Sequence, residues 1–344
     1  MNALLEVKNL NVDLSIPAGA LHAVRNVSFS VQKGKTLSLV GESGCGKSMT
    51  ALAIMDILPP SASYNAEKME FEGHDLLKMN EKKMAGFRGA KISMIFQEPM
   101  TSLDPCYTIG DQLTEALTEH KQVSSKEARD RAVFLLDKVG ITGAASRLKQ
   151  YPHQLSGGLR QRIMIAMGLM CGPSLIIADE PTTALDVTIQ AQILRLLASI
   201  QKEFNMGMIL ITHDLGVVAR IADDVAVMYC GEVVETGNIT QIFNHPIHPY
   251  TRGLIECIPI PGKTKPGEKL GSIPGIVPAP IGELWGCSFR NRCSLATAEC
   301  AARGLELTHI SDTRSFRCTK PPKDMPIDTI DDTGTMVISA GGMI

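Results

Sequence analysis

The sequence predicts an α/β fold built on a buried parallel sheet, and three observations carry that prediction. Gly41-Glu42-Ser43-Gly44-Cys45-Gly46-Lys47-Ser48 fits G-x-x-x-x-G-K-[ST] at every fixed position. It lies between the compact apolar run Lys35–Val40 and a helix-like segment from Lys47 to Leu58, the strand–loop–helix setting that such a loop requires. Leu175–Ala178 and Met208–Ile211 are almost wholly apolar and are separated by a helix-like stretch, as suits strands covered on both faces.

The elements follow in chain order. Leu4–Leu10 is a short apolar-rich segment, and Val24–Val31 alternates and is rich in Val and Phe, as strands are. Pro59-Pro60 stops the helix that begins at Lys47. Residues 100–172 read as mostly helical. Ser124-x-x-Glu127 has the form of a capping box, the apolar residues after it fall at helical spacing, and Gly140 terminates the helix. Leu155-Ser156-Gly157-Gly158-Leu159-Arg160-Gln161 opens another helix that runs to about Met170. Beyond residue 258 the composition shifts. Prolines and glycines recur between Pro259 and Gly282, which reads as a linker or an irregular extended segment, and a cysteine-bearing region follows over 287–318. The last twenty or so residues, with Asp328, Asp331 and Asp332, have little to bury and are expected to be mobile or to dock outside the chain. The expected organisation is residues 1–258, a C-terminal region 259–322 and a tail 323–344.

The 344 residues suggest two domains at about 150 residues each. A formal net charge of −2 argues against tight, sequence-independent nucleic-acid binding. No apolar run reaches the length of about 18 residues needed for a membrane span, and the N-terminus lacks the form of a signal peptide, so a cytosolic chain is expected. Its nine cysteines are then more readily free thiols or ligands than disulfides.

The chemistry of the motifs points to nucleotide phosphates. Glycines let backbone wind round an anion and aim successive N–H groups at it, and the helix starting near Lys47 adds its free N–H groups and dipole. Lys47 is placed to reach β- and γ-phosphates and Ser48 to ligate Mg²⁺. The glycine order differs from G-x-G-x-x-G, which disfavours a nicotinamide site. Asp179-Glu180 closes an apolar strand, which suits one carboxylate in a metal shell and one that polarises a water. His213 after the Met208–Thr212 run reads either as a structural residue or as a γ-phosphate contact. Ser156-Gly157-Gly158 reads either as an ordinary helix cap or as a second anion site.

Taken together these residues resemble the nucleotide-binding subunit of an ATP-binding-cassette (ABC) transporter. Gly41–Ser48 is similar to the Walker A loop of the P-loop NTPases, and Gln97 to the Q-loop glutamine. Leu155–Gln161 is similar to the LSGGQ signature, with Leu159 where many members have Gln. Leu175–Glu180 is similar to Walker B, Thr183-Ala184-Leu185-Asp186 to the D-loop and His213 to the switch histidine. The resemblance covers about residues 4–258. It implies an ABC cassette with a RecA-like core sheet and a helical subdomain over about 100–172, followed by a small irregular cysteine-containing domain. It further implies that Gly41, Glu42, Ser43, Gly44, Cys45, Gly46, Lys47, Ser48, Met49 and Gln97 contact ATP, and that Ser48, Gln97 and Asp179 hold Mg²⁺. Glu180 would be general base with His213 on the γ-phosphate. Ser156, Gly157, Gly158, Gln161 and Asp186 would act across a head-to-tail dimer on the partner's nucleotide.

Gln97–Pro105, Tyr151-Pro152-His153-Gln154, His248-Pro249-Tyr250-Thr251 and the cysteine tail narrow the resemblance to the dipeptide/oligopeptide importer branch. That branch implies a peripheral subunit on the cytoplasmic face of the inner membrane. Its implied partners are a second, related ATPase subunit, two transmembrane permease subunits and, indirectly, a substrate-binding protein, with no nucleic acid. Nickel and glutathione importers use similar ATPases, and soluble cassettes that act on nucleic acid or ribosomes form the alternative class. The family stacks adenine on an aromatic residue near position 14, but Leu4–Ser28 contains no Phe, Tyr or Trp before Phe29, leaving Leu14, Ile16 or His22 to cover the base.

Cys287, Cys293, Cys300 and Cys318 cluster in the C-terminal region. Four thiolates are the usual complement for structural zinc or an iron–sulfur cluster, but the spacing is not the paired C-x-x-C of a zinc ribbon. Chemistry alone leaves a metal site and buried free thiols both open, and the resemblance implies a [4Fe–4S] cluster. Arg290 and Arg292, between these cysteines, are expected to offset its negative charge.

Overall fold

Alternating burial of Leu5, Val7, Leu10 and Val12 shapes the first strand, β1 (Leu5–Ile16), which pairs antiparallel with β2 (Gly19–Val31). The computed structural model describes residues 3–98, 102–183, 185–258, 271–282, 284–302, 305–311 and 313–319, with the backbone of 328–330 and 336–337. Strands β3 (Thr36–Val40), β4 (Ala62–Asn65), β5 (Lys68–Phe71) and β6 (His74–Asp75) follow. All but β3 join an antiparallel sheet ordered β2-β1-β5-β6, with β4 alongside β1.

The larger sheet is the expected parallel one. Its parallel part consists of β3, β7 (Ile92–Ile95), β8 (Leu175–Asp179), β9 (Gly207–Thr212) and β10 (Asp224–Tyr229), paired in the order β10-β3-β9-β8-β7. β3, β8 and β9 are buried along their whole length. Their period-2 alternation divides two cores. Leu37, Leu39, Leu175, Ile177, Ile209 and Ile211 pack with the antiparallel sheet and helix α1 (Lys47–Ile54), whereas Ile176, Ala178, Met208 and Leu210 pack with the helical region.

That region holds α2 (Ile109–Thr118), α3 (Ser125–Lys138), a short helix over Ala144–Arg147 and α4 (Gly157–Gly168), as the sequence leads one to expect. The Ser124 hydroxyl accepts from the Glu127 N–H while the Glu127 carboxylate accepts from the Ser124 N–H, completing the expected capping box. Gly140 sits at φ +77° just beyond the helix end. Helix α5 (Val187–Phe204) then crosses back to the sheet. α1 stops at Ile54, short of the expected Leu58, because Asp56 turns into the left-handed region at φ +52° before Pro59 is reached.

The region beyond 258 is bonded into this frame, not hung from it. Residues 259–270, half of the expected linker, lie outside the described residues. The remaining half runs along β2, with the His22 N–H donating to the Pro280 carbonyl at 2.8 Å and a bridge between Leu21 and Ile281. β11 (Glu232–Asn238) extends the main sheet antiparallel to β10. Two short strands, β12 (Thr308–His309) and β13 (Ser315–Phe316), extend it further through β11. Buried Arg314 clamps this addition by pairing with buried Glu235 at 2.6 Å. Of the tail 323–344, only the backbone of a two-stranded ribbon (Asp328–Ile330 with Met336–Val337) is described. Among the described residues no helix is long and apolar enough to cross a membrane.

Candidate functional site

The loop between β3 and α1 is shaped by three positive-φ glycines, Gly41 at +154°, Gly44 at +79° and Gly46 at +98°. At Gly41 and Gly46 the need is steric as well, since a Cβ would lie 2.1 Å from the Met228 carbonyl oxygen or 2.2 Å from that of Ala23. Lys47 is buried and bends back over the loop, its Nζ donating to the carbonyls of Gly41 at 2.8 Å and Glu42 at 3.1 Å. Met49, next but one along α1, is partly buried against the core under the loop.

The strand ends bring carboxylates to this loop. Ser48 Oγ donates to Asp179 Oδ1 at 3.0 Å, so residues far apart in sequence present two oxygen ligands at one point. Burial pushes the Asp179 carboxyl above its usual range, against the Ser48 hydrogen bond and the Lys47 charge, both of which favour the anion. A divalent cation here would relieve that desolvation, and two oxygen donors of this kind suit Mg²⁺. Glu180 follows at φ +43°, a conformation seldom adopted by a non-glycine residue, held by its N–H bond to the Ile211 carbonyl at 2.9 Å. Its side chain is gripped on both oxygens. Oε2 accepts from Thr183 Oγ1 at 2.8 Å and from Gln97 Nε2 at 3.2 Å, and Oε1 lies 3.2 Å from His213 Nδ1. Burial works to raise the Glu180 carboxyl, but the bonds from Thr183 and His213 outweigh it and hold the group below its usual range. A carboxylate kept ionised and oriented in this way can take a proton from a water molecule.

Seven expected residues, Lys47, Ser48, Gln97, Asp179, Glu180, His213 and the glycine loop's Gly41, are thus joined by direct contacts. Ser156, Gly157, Gly158 and Gln161 are elsewhere. They open α4, where the Ser156 side chain makes no cap bond, and the surrounding Leu155 and Leu159 belong to the core on the opposite face of the sheet. Gln161 is buried with its Nε2 unpaired. Asp186 caps α5 by accepting from the Thr188 and Ile189 N–H groups. Gly157 and Gly158 face Leu185 and Ile189 of that same segment. Ala184 of the expected D-loop, and Pro99, Met100 and Thr101 after Gln97, lie outside the described residues. The residues named for the base are occupied locally, with Leu14 paired across the strands to Leu21 and His22 Nδ1 2.6 Å from Asp13 Oδ1.

The cysteines Cys287, Cys293, Cys300 and Cys318 line one small cavity of about 20 Å³ together with His248 and Phe289. Burial pushes the Cys287 thiol up to about 11 and raises that of Cys293. His248, buried with its Nε2 unpaired, is driven down to about 3 by burial and by the Arg317 charge. Among the described residues no three His, Cys, Asp or Glu side chains are grouped so as to hold a single metal ion. What the four cysteines share is the lining of one cavity. The expectation that both arginines face this cluster is corrected. Arg290 donates to the carbonyls of Trp285 and Cys287, but Arg292 turns away to the phosphate loop.

Three participants act in places the sequence did not indicate. Thr183, read only as the start of the D-loop, holds the Glu180 carboxylate. The Tyr250 hydroxyl accepts from the Glu42 N–H at 2.9 Å, and Arg292 pairs with the Glu42 carboxylate. Only the fold brings residues from beyond position 200 back to residue 42.

The chain is similar to known proteins over most of its length. Residues 24–183 match the ABC transporter family and residues 234–300 match the oligopeptide/dipeptide transporter C-terminal region. The dipeptide transport ATP-binding protein DppD of Escherichia coli is 48% identical over 322 residues, 94% of this chain and 98% of that protein. Its namesake in Bacillus subtilis is 50% identical over 92% of this chain and 95% of its own, and the oligopeptide transport ATP-binding protein AppD of the same organism is 48% identical over 92% and 97%. Among solved structures, the ATP-binding cassette MJ0796 in a dimeric post-hydrolysis state bound to ADP and Pi superimposes with a TM-score of 0.61 at 26% identity, covering 68% of this chain and 98% of that one. CbiO1 of Clostridium perfringens, part of an ABC transporter complex, gives 0.61 at 27% identity, with 71% and 92% covered.

Proposed function

From the premise that the chain belongs to the ATP-binding subunits of ABC transporters, in the branch with the oligopeptide/dipeptide C-terminal region, we propose how its residues drive transport. The protein is the ATP-binding and hydrolysing subunit of an ABC importer of dipeptides or oligopeptides, working with ATP and Mg²⁺ and with permease subunits in the membrane.

The observation that supports the residue-level reading is the convergence of Lys47, Ser48, Asp179, Gln97, Glu180 and His213 around one glycine-lined loop. Backbone N–H groups of 41–48, apart from that of Glu42, which Tyr250 engages, cradle the phosphates, and Lys47 reaches them from its place across the loop. Ser48 and Asp179 would hold the Mg²⁺, which neutralises phosphate charge when bound. Glu180, kept in place by Thr183 and Gln97, takes a proton from the attacking water, and His213, beside its other oxygen, would contact the γ-phosphate. Ser156, Gly157, Gly158, Gln161 and Asp186 belong to the nucleotide of a partner cassette. The exposure of Ser156 and Gly157, away from this chain's own phosphate loop, supports that assignment, whereas Gln161 is buried.

The partner cassette is a second, related subunit. The assembly sits peripherally on the cytoplasmic face of the inner membrane against two permease subunits and receives its cargo from a substrate-binding protein. The four C-terminal cysteines hold a [4Fe–4S] cluster with a structural or regulatory role, a reading supported by their convergence on one cavity. Detergent purification should recover the chain with two integral membrane proteins. Recovery alone from the soluble fraction, with bound RNA, would refute the transport assignment. Anaerobic preparations should be coloured and contain iron and sulfide, and a colourless, stable, iron-free protein would refute the cluster.

A further inference from the structure

The phosphate loop contains an acidic residue, Glu42, in the segment that has to accept a polyanion. Lys47 is the one basic residue between Gly41 and Ser48, so the formal charges within the loop cancel. The compensating charge comes from the far end of the chain. Arg292 Nη1 lies 2.6 Å from Glu42 Oε2 and Nη2 lies 3.0 Å from Glu42 Oε1, a bidentate fork. The Arg292 side chain is only 4% exposed and its remaining surroundings hold it in place. Its Nε donates to the Pro274 carbonyl and its Nη2 to that of Ile273, and the guanidinium lies over the rings of Tyr229 and Phe289. A second link from the same side, Tyr250, receives the Glu42 backbone N–H through its hydroxyl. Arg292 directly precedes Cys293, and Phe289 lines the cysteine cavity.

We propose that Arg292 is a positioning and charge-compensating residue of the nucleotide site, through which the cysteine-bearing region sets the affinity of the phosphate loop. With the guanidinium in place, Glu42 is neutralised and drawn toward the C-terminal region, and the loop meets phosphates with the Lys47 charge uncancelled. Without it, the Glu42 carboxylate is left uncompensated in the loop that receives the phosphates. Repulsion between such charges in partly buried surroundings weakens nucleotide binding by about ten- to a hundredfold. The proposal also gives the cysteine region a route to the ATP site, because any change that moves the 287–293 turn moves Arg292 with it.

The proposal rests on residues 41–48 being the phosphate site, and the test separates the two. The full-length protein is titrated with ADP, which fills the loop with its β-phosphate and does not turn over. Arg292→Met should fold, with a circular-dichroism melt like that of the parent, and should bind ADP about ten- to a hundredfold more weakly. Arg292→Lys, which keeps the charge, should recover most of the affinity. The double variant Glu42→Gln/Arg292→Met, which removes the carboxylate as well, should return to near the parent value. A merely structural role for Arg292 predicts no such rescue. Parent-like ADP binding by folded Arg292→Met overturns the proposal, as does a double variant as weak as Arg292→Met alone. If Lys47→Ala binds ADP as the parent does, the phosphate-site reading itself fails.

Discussion

Glu180 concentrates the residue-scale chemistry. Its backbone sits at a positive φ and its two oxygens are divided between Gln97, Thr183 and His213. A carboxylate held on both oxygens can accept a proton only along the direction that remains open, which orients the water. Glu180→Gln removes the proton acceptor and keeps the shape. It should bind ATP like the parent and lose turnover by at least about a hundredfold, read from phosphate release against nucleotide titration. Normal turnover in that variant would exclude Glu180 as the base. Lys47→Ala should lose nucleotide binding itself. Asp179 and Ser48 were readable as a metal pair because each occupies a fixed place in a motif. Arg292 was readable only as a charge near cysteines, and its actual partner, Glu42, lies 250 positions away.

At the element scale, the site is a set of strand ends. β3 ends at the phosphate loop, β8 at Asp179 and β9 one residue before His213, because parallel neighbours bring their carboxyl ends to one edge. Continuous burial of these strands makes them legible as apolar runs. The antiparallel strands β4–β6 are at most four residues long, too short for even the clean alternation of β5 to announce them. Helix α3 depends on its capping box. Ser124→Ala should cost about 1 kcal/mol in a thermal or urea melt while the ATPase rate per folded molecule stays unchanged. A larger effect is expected inside the sheet. Ile177 is fully buried between the parallel strands and α1, and Ile177→Ala should cost about 2–5 kcal/mol.

At the scale of the whole molecule, the C-terminal region and the cassette share one sheet and one buried polar seam. His248 belongs to that seam. It is fully buried, its backbone N–H donates to Glu235, and its Nδ1 accepts from the Tyr250 N–H. Its folded pKa is depressed to about 3 from an ordinary 6.5, so the unfolded chain takes up this proton before the folded one does. Stability from this group is therefore complete above about pH 6.5 and declines as pH falls toward 3, by up to about 1.4 kcal/mol per pH unit. Melting temperatures of the parent and of His248→Asn, which keeps a helix-capping acceptor, should diverge between pH 7 and pH 5, the parent falling faster. Parallel curves would show that His248 is not the titrating group.

The amino-acid sequence by itself determined the local chemistry: a glycine loop able to wrap phosphates, a carboxylate pair after an apolar strand, a capped helical region and four clustered thiols. The loop, the carboxylate pair and the caps are legible because each depends on residues within about one turn or strand of one another, where spacing alone sets geometry, whereas the thiols show only as a cluster. Tertiary structure alone decided which of those features share a site. It joined Gln97 and His213 on one carboxylate, set the signature helix on the opposite face of the sheet, and brought Arg292 and Tyr250 to Glu42. Contacts across 33 to 250 positions follow from sheet order and from an ion pair between distant segments, and neither is written in any local pattern of residues.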